Sequence, residues 1–237
     1  MNTDVSLATA QLLDGQECFT TTVLTPQQST GVCLFAVGRG GNPLRHLSLL
    51  QTVASRGFTV VAPHLAMLAG SVPTKQELDT RIRRLERALE EVAPLDQPIT
   101  GIGHSIGTVV LLALAGAQAR TLSGHLVVWG SKWTFSGLAL MAPPADFFRH
   151  PSALQSIDGR MYIRAGGQDR VTPPTQAMWL SELLAKQTPV AFRLDEEAGH
   201  FSYMGELPPQ VVDSQPNRTV FLASLAEDVA EFIASCH

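Results

Sequence analysis

The stretch Thr100-Gly-Ile-Gly-His-Ser-Ile-Gly-Thr108 decides how the rest of this chain is interpreted. It places Ser105 in a Gly-x-Ser-x-Gly frame that spans residues 103–107. The run before it, residues 98–102, suits a short buried strand, and the run after it, residues 108–120, is rich in Leu, Val and Ala and predicts a buried helix. A strand, a sharp turn and a helix are the context in which this motif lifts a serine hydroxyl above the edge of a sheet. The stretch therefore predicts that Ser105 is a nucleophile.

The glycines on either side of the serine support this interpretation. Strand and helix pass close together at such a turn, so the positions two residues before and after the nucleophile must be small. Gly103 and Gly107 satisfy that requirement. The alternative is an ordinary turn serine, because Gly-x-Ser-x-Gly also arises by chance. The choice depends on whether the chain supplies partners for Ser105.

Length and composition predict one globular domain over residues 1–237. Apolar residues make up 45% of the sequence and charged residues 16%, which is typical of a chain with a packed core. A formal charge of -4 provides no basic surface for nucleic acid or an anionic membrane. The longest apolar run, residues 109–117, is far shorter than the roughly 20 residues of a membrane span.

The first residues and the cysteines favour a cytoplasmic location. Residues 1–7 have neither the basic start nor the apolar centre of a signal peptide. Cys18, Cys33 and Cys236 are too few and too scattered for a disulfide framework or a zinc site. No carboxylates or histidines have metal-ligand spacing, and residues 118–128 lack the acidic group of a dinucleotide site. We therefore predict no metal and no cofactor, and a small molecule as the partner.

Apolar runs of strand length alternate with amphipathic segments of helix length. This alternation predicts βαβ units and a mostly parallel sheet with helices on both faces. Residues 1–17 carry no clear signal, residues 124–135 fit either a small hairpin insertion or an irregular loop, and residues 64–73 and 202–217 are predicted loops. The predicted strands are 18–24, 31–37, 58–62, 98–102, 138–142, 161–165 and 190–194, and the predicted helical segments are 44–55, 74–92, 108–120, 146–154, 174–186 and 218–235.

The helix over residues 74–92 has the clearest start signal in the chain. Thr74 and Glu77 form the pattern of a capping box, in which each side chain accepts from the other residue's backbone N–H. The charged residues that follow predict a solvated outer face. Glu77 with Arg81 and Asp79 with Arg83 have the spacing of exposed ion pairs one turn apart.

His200 and Asp169 are the best-placed partners for Ser105. A serine hydroxyl needs a base within hydrogen-bond reach, and the base needs a third group that fixes its tautomer. Asp169 and His200 each follow a predicted strand, and functional groups of parallel sheets gather at the carboxyl ends of the strands. The chain order Ser, Asp, His is the one expected of a nucleophile elbow paired with later strand-end loops. Asp146 remains an alternative acid, and His64, His125 and His150 remain alternative bases.

Three motifs resemble those of the α/β-hydrolases: Gly103-His-Ser-Ile-Gly107, Gly167-Gln-Asp169 with Pro173, and Gly199-His200. The resemblance covers the chain from about residue 31 onward. It implies the α/β-hydrolase fold, a three-layer α/β/α sandwich with a mostly parallel central sheet. Within the superfamily the chain is similar to the small dienelactone-hydrolase-like members, which lack a large cap. Dienelactone hydrolases proper use a cysteine at the position of the serine, so an ester or thioester is a more natural substrate here than a lactone.

The resemblance also implies an oxyanion hole made of two backbone N–H groups. One belongs to Ile106, directly after the nucleophile, and the other to Arg39, with Gly40 as the alternative. Many family members carry His-Gly where this chain has Val37-Gly38, which leaves the register of the second donor open. The Arg39 side chain is in addition a candidate partner for a substrate carboxylate.

His64, Phe147 and Phe201 are predicted to contact the substrate. For the aromatic residues the alternative is a place in the core, where most aromatics near a sheet are found. His104, inside the elbow, is expected to serve packing. The same two alternatives, pocket or core, apply to Trp133, Phe148, Tyr203 and Met204.

The sequence thus predicts a serine hydrolase that cleaves a carboxylic ester or thioester through an acyl-enzyme. Ser105 is the expected nucleophile, His200 the general base and Asp169 the group that orients the imidazole. One alternative is a non-catalytic protein of the same fold that binds a small ligand, although such a binder has no need of all three groups. Another is the same triad used for lyase or perhydrolase chemistry.

Overall fold

The computed structural model describes residues 4–93 and 97–236. Within these ranges a large sheet of eight strands forms the centre, and a separate two-stranded sheet is added by β6 and β7. The strands in chain order are β1 (Ser6–Asp14), β2 (Glu17–Thr25), β3 (Gly31–Ala36), β4 (Phe58–Pro63), β5 (Ile99–His104), β6 (Ala119–Arg120), β7 (Leu126–Val127), β8 (Phe135–Met141), β9 (Arg160–Gly166) and β10 (Val190–Asp195).

The spatial order of the large sheet is β1-β2-β4-β3-β5-β8-β9-β10. The six strands from β4 to β10 in that order run parallel, whereas β2 pairs antiparallel with β4 and β1 pairs antiparallel with β2. Every residue of β3, β4 and β5 is buried, as expected for strands covered on both faces. The mostly parallel sheet predicted from the sequence is therefore confirmed.

Helices cover both faces of this sheet. The first and last helices pack against each other on one face, and the other three lie on the opposite face, so that two hydrophobic clusters sandwich the sheet. None of the helices in the described ranges is long and apolar enough to cross a membrane. The helices are α1 (Leu47–Ser55), α2 (Lys75–Val92), α3 (Ile106–Leu114), α4 (Pro174–Leu184) and α5 (Arg218–Ala234).

The solvated face predicted for helix α2 is confirmed for most of its charged residues, but not for Arg81 and Arg84. The capping box is confirmed, since Thr74 Oγ1 accepts from the N–H of Glu77 at 3.2 Å and Glu77 Oε2 accepts from the N–H of Thr74 at 2.8 Å. The predicted pairing of Glu77 with Arg81 is wrong, because Arg81 is buried and its guanidinium donates to backbone carbonyls. Arg84 is buried as well.

The second predicted pair on α2 is also wrong. Arg83 pairs with Asp14 of β1, and Asp79 pairs with Lys75 at 2.5 Å. The partner of Arg83 comes from a strand that the sequence did not predict, in residues 1–17. Most side chains of β1 are exposed, so the strand lacks the apolar signature on which the prediction depended, and its place is set by a two-residue turn in which Gly15 has a φ of 64°.

Several element boundaries differ from the prediction, and the helical segment predicted over 146–154 is only a 3-10 turn over Ala145–Phe148 followed by turns. The helix predicted over 108–120 ends at Leu114, since Gly116 adopts a φ of 106° that ends an α-helix. The helix predicted from residue 44 begins as a 3-10 turn over Pro43–His46. In the segment 124–135 the hairpin alternative is confirmed in part, because β7 pairs with β6 while the residues after β7 are irregular.

Candidate active site

The turn between β5 and α3 holds Ser105 in a strained backbone conformation. Its φ is 54° and its ψ is -130°, and a non-glycine residue in such a region carries about 1–3 kcal/mol of strain. The requirement for small neighbours is confirmed. A Cβ on Gly107 would lie 2.0 Å from the carbonyl oxygen of Ala36, and one on Gly103 would lie 2.9 Å from Thr108 Cα. Gly103 thus allows β5 to lie against the start of α3, and Gly107 allows the start of α3 to lie against the end of β3.

Ser105, His200 and Asp169 form a continuous hydrogen-bonded chain. The distance from Ser105 Oγ to His200 Nε2 is 2.9 Å, and the distance from His200 Nδ1 to Asp169 Oδ2 is 2.8 Å. The three residues follow β5, β10 and β9, whose carboxyl ends meet at one edge of the sheet. An ionised carboxylate only accepts, so the Nδ1 proton faces Asp169 and the Nε2 lone pair faces the serine hydroxyl.

Asp169 is held by two residues of its own loop, Val171 and Thr172, that the sequence analysis did not single out. Its Oδ1 accepts from the backbone N–H groups of Val171 and Thr172, each at 2.8 Å. The hydroxyl of Thr172 lies 2.8 Å from Asp169 Oδ2 and 3.1 Å from His200 Nδ1. Burial by itself raises the pKa of Asp169, but the hydrogen bond and charge of His200 and the bonds from Thr172 outweigh it and lower the pKa. These contacts keep the carboxylate ionised beside the imidazole.

Comparisons with known proteins give a clear result for structure alone. No family model matches the sequence, and no curated protein matches it either. Among solved structures, dienelactone hydrolase from Anabaena variabilis superposes with a TM-score of 0.66 at 15% identity, over 98% of this chain and 98% of that chain. A carboxylesterase from Lactobacillus plantarum gives a TM-score of 0.64 at 13% identity, over 95% and 97% of the two chains.

A third structure completes the comparison. The α/β-hydrolase MGS-M1, from a deep-sea metagenome, gives a TM-score of 0.68 at 15% identity, over 96% of this chain and 98% of that chain. The chain has the α/β-hydrolase fold. The fold predicted from the three motifs is therefore confirmed, including its likeness to dienelactone hydrolase.

In this α/β-hydrolase fold, two further histidines stand in a row with His200. The ring centroids of His46 and His104 are 5.1 Å apart, and those of His104 and His200 are 5.2 Å apart. His104 Nε2 donates to the carbonyl of His200 at 2.9 Å, and His46 Nδ1 donates to the carbonyl of Tyr203 at 3.1 Å. Burial lowers the pKa of His46 to about 4 and, together with the charges of His46 and His200, lowers the pKa of His104 well below its ordinary value. Both rings are therefore neutral, and they join the turn at Ser105 and the 3-10 turn before α1 to the loop that carries His200.

A buried ion pair joins β9 and β10, the strands that precede Asp169 and His200. Arg164 of β9 donates two hydrogen bonds to Asp195 of β10, from Nε at 2.9 Å and from Nη2 at 2.6 Å. The Tyr203 hydroxyl donates to the same carboxylate at 3.0 Å. The sequence signal for this pair is an arginine inside the otherwise apolar run 161–165.

The expected oxyanion donors belong to the start of α3 and to the loop after β3. Ile106 is the first residue of α3, and the first N–H groups of a helix have no acceptor within it. A Cβ on Gly38 would lie 3.4 Å from Ser105 Cβ, so the loop after β3 approaches Ser105 closely. Ile106, Arg39 and Gly40 all line the same cavity as Ser105.

That cavity has a volume of about 610 Å³ and is mainly apolar. Phe147 and Phe201 line it, whereas His64 does not. The Nε2 atom of His64 instead lies 2.8 Å from Thr22 Oγ1, and Thr22 does not line the cavity either. The position of His64 therefore gives no support to a substrate contact. The other apolar residues of the wall include Met67, Leu68, Leu122, Val171 and Met204, and the charged residues are Arg39, Arg45 and Asp146.

The alternative residues occupy other positions. Asp146 pairs with Arg149 at 3.0 Å, on the wall of the cavity, while Asp169 contacts the imidazole. Phe148 and Tyr203 are core residues, and Trp133 packs against the core at a distance from the cavity. Of the alternative bases, His64 bonds to Thr22, His125 to Ser123 and His150 to the carbonyl of Gln118.

Proposed function

We propose that the protein is a serine hydrolase that cleaves a carboxylic ester or thioester through an acyl-enzyme. The observation that carries the proposal is the hydrogen-bonded chain from Ser105 Oγ through His200 to Asp169, with distances of 2.9 Å and 2.8 Å. The strained backbone of the serine and the cavity above it support the proposal, because a nucleophile must be exposed to substrate.

The reaction has two halves. Ser105 Oγ attacks the carbonyl carbon while His200 Nε2 takes the serine proton, and the carbonyl oxygen becomes an oxyanion held by the N–H groups of Ile106 and Arg39. The bond to the leaving oxygen or sulfur then breaks, and His200 gives its proton to that atom. Water attacks the acyl-enzyme with His200 as base, which releases the acid and restores the serine. Asp169 stays ionised and stabilises the imidazolium throughout.

The cavity favours a substrate with an apolar group near the scissile bond. Its apolar wall, including Phe147, Val171 and Phe201, removes such a group from water, which contributes about 25 cal/mol per Å² of buried apolar surface. Similar folds include a carboxylesterase and a dienelactone hydrolase, and we extend only the cleavage of ester bonds to this chain. We also propose a cytoplasmic location, which cell fractionation would test.

Labelling with a fluorophosphonate probe tests the nucleophile. The wild type should label at Ser105, Ser105→Ala should not label, and the exposed Ser123→Ala should label like the wild type. Hydrolysis of p-nitrophenyl esters and acyl thioesters of increasing chain length should follow the same pattern among the three proteins. A wild type that resists the probe, or a Ser105→Ala variant that labels equally, would refute the proposal, and ligand binding without turnover would favour the binding protein.

A further inference from the structure

Arg81 is a buried cation beside the loop that carries the second expected oxyanion donor. It lies on α2 and its side chain is almost completely excluded from water, with 3% exposure. Transfer of a charged group from water to the interior is unfavourable unless strong hydrogen bonds replace those to water. An apolar side chain of similar length would fill the same space without that penalty. The contacts of the guanidinium therefore need a specific explanation.

The guanidinium donates four hydrogen bonds, all of them to backbone carbonyls. Nη1 donates to Val37 at 3.2 Å and to Gly38 at 3.0 Å. Nη2 donates to Arg39 at 3.0 Å and to Ala66 at 2.7 Å. Three consecutive carbonyls of the loop after β3 thus face one cation, and a fourth comes from the loop after β4.

Two of these carbonyls belong to the peptide groups that contain the candidate oxyanion donors. The Gly38 carbonyl shares its peptide group with the Arg39 N–H, and the Arg39 carbonyl shares its peptide group with the Gly40 N–H. A charged donor on the carbonyl polarises the peptide group and strengthens its N–H as a donor. It also fixes the direction of that N–H, because rotation of the peptide plane would break the bond to the guanidinium.

The loop has other supports that do not depend on Arg81. The N–H of Gly41 donates to the Gly38 carbonyl at 3.1 Å, and the N–H of Leu68 donates to the Arg39 carbonyl at 3.1 Å. The N–H of Leu65 donates to the Gly41 carbonyl at 2.9 Å. These bonds keep the loop folded against its neighbour when the guanidinium is removed. Arg81 adds a second, charged donor on the same Gly38 and Arg39 carbonyls, which polarises their peptide groups and tightens their orientation.

We propose that Arg81 is a positioning residue for the oxyanion hole, whose guanidinium orients and polarises the peptide groups of residues 37–40 toward the developing negative charge. This inference rests on the proposed serine hydrolase activity and deepens it. Because the oxyanion exists only in the transition state and the tetrahedral intermediate, loss of Arg81 acts on kcat rather than on KM.

The test compares Arg81→Met, Arg81→Lys and a matched control, Arg84→Met. Arg84 is a second buried arginine of α2, but it pairs with Asp14 and Glu17 rather than with the loop. Since loss of one oxyanion donor lowers kcat about 10²–10³-fold, Arg81→Met should lower kcat on a neutral p-nitrophenyl ester about 100-fold, with KM changed by less than about 3-fold. Arg81→Lys should recover only part of the loss, because an ammonium lacks the planar fork that reaches several carbonyls. Arg84→Met should keep kcat within about 2-fold while unfolding more easily.

Amide NMR provides a second measurement that needs no turnover. In Arg81→Met the amide proton resonances of Arg39 and Gly40 should move upfield relative to the wild type, and in Arg84→Met they should not. If the wild type fails to react with a fluorophosphonate while these resonances still move, the hydrolase proposal fails, but the effect of Arg81 on the peptide groups of the loop is supported. Unmoved resonances, a kcat equal to that of the wild type, or an equal loss in Arg84→Met would overturn the role of Arg81.

Discussion

The pH dependence of the free energy of unfolding tests whether His46 is a buried, neutral ring. Its side chain is 1% exposed, its Nδ1–H donates to Tyr203, and its Nε2 has no hydrogen-bond partner in the described part of the chain. Burial, aided by the charge of Arg45, lowers its pKa from 6.5 to about 4. His46→Asn is the informative change, because the Asn amide nitrogen replaces Nδ1 and the titrating ring is lost.

The sign of the effect follows from proton binding. The unfolded chain binds a proton at this histidine below pH about 6.5, whereas the folded protein does so only below about 4, so the unfolded state holds more protons between these values. Stability is therefore complete above the unfolded pKa and is lost as the pH falls toward the folded pKa. One pKa unit is worth about 1.4 kcal/mol, so this ring alone removes about 3 kcal/mol over the window.

Urea unfolding at several pH values between 7 and 4.5 measures this loss. The free energy of unfolding of the wild type should fall by about 2–3 kcal/mol more than that of His46→Asn, because the contributions of the carboxylates are common to both proteins and cancel. The control is His125→Asn, whose ring is exposed and which should follow the wild type. Parallel pH profiles for the wild type and His46→Asn would refute the picture of a neutral buried His46.

Three further changes probe the acid loop, the elbow and the cavity. Thr172→Val removes a hydroxyl 2.8 Å from the acid and should lower kcat about 10-fold, with Thr172→Ser restoring it, as steady-state kinetics would show. Gly107→Ala should lower the free energy of unfolding by about 3 kcal/mol or more in urea titration, because its Cβ would lie 2.0 Å from the Ala36 carbonyl oxygen. The control is Gly130→Ala, which has open space around it and should change the free energy of unfolding by less than about 0.5 kcal/mol. Arg39→Ala keeps its backbone N–H and removes only the side-chain charge. It should lower kcat/KM about 10-fold for an ester that carries a carboxylate and leave kcat/KM for a neutral ester of the same size unchanged. Equal effects on both esters would exclude an ion pair between Arg39 and the substrate carboxylate.

The parts of the fold that the sequence predicted are those with local signals. Strand β3 is a nearly continuous apolar run, the Gly-x-Ser-x-Gly motif marks the end of β5, and a capping box marks the start of α2, so each can be located to within a few residues. Strand β1 was missed because most of its side chains are exposed, and it is held by pairing with β2 rather than by a hydrophobic pattern of its own. Arg81 was misread because a charged residue at helical spacing from a glutamate looks the same whether its guanidinium meets a carboxylate or carbonyls from distant loops.

The candidate site likewise contains residues that the sequence could predict and residues that it could not. Ser105, Asp169 and His200 follow strands in a parallel sheet, so topology alone brings them to one edge, and the sequence is enough to predict their meeting. Thr172 and His46 carry no such signal. Their roles depend on distances between loops that are far apart in the chain, such as the 3.1 Å from Thr172 Oγ1 to His200 Nδ1 and the 3.1 Å from His46 Nδ1 to the Tyr203 carbonyl.

The neutral state of the buried histidines has a consequence for the proposed chemistry. When His200 takes the serine proton, an imidazolium forms 5.2 Å from the ring of His104, and a second positive charge there would oppose it. Because burial keeps His104 and His46 neutral, the positive charge of the transition state is confined to His200, where Asp169 stabilises it. The guanidinium of Arg81 faces the carbonyl oxygens of the loop after β3, so its field favours the negative charge of the proposed oxyanion. The packing that excludes water from these rings thus also separates the two charges that the reaction creates.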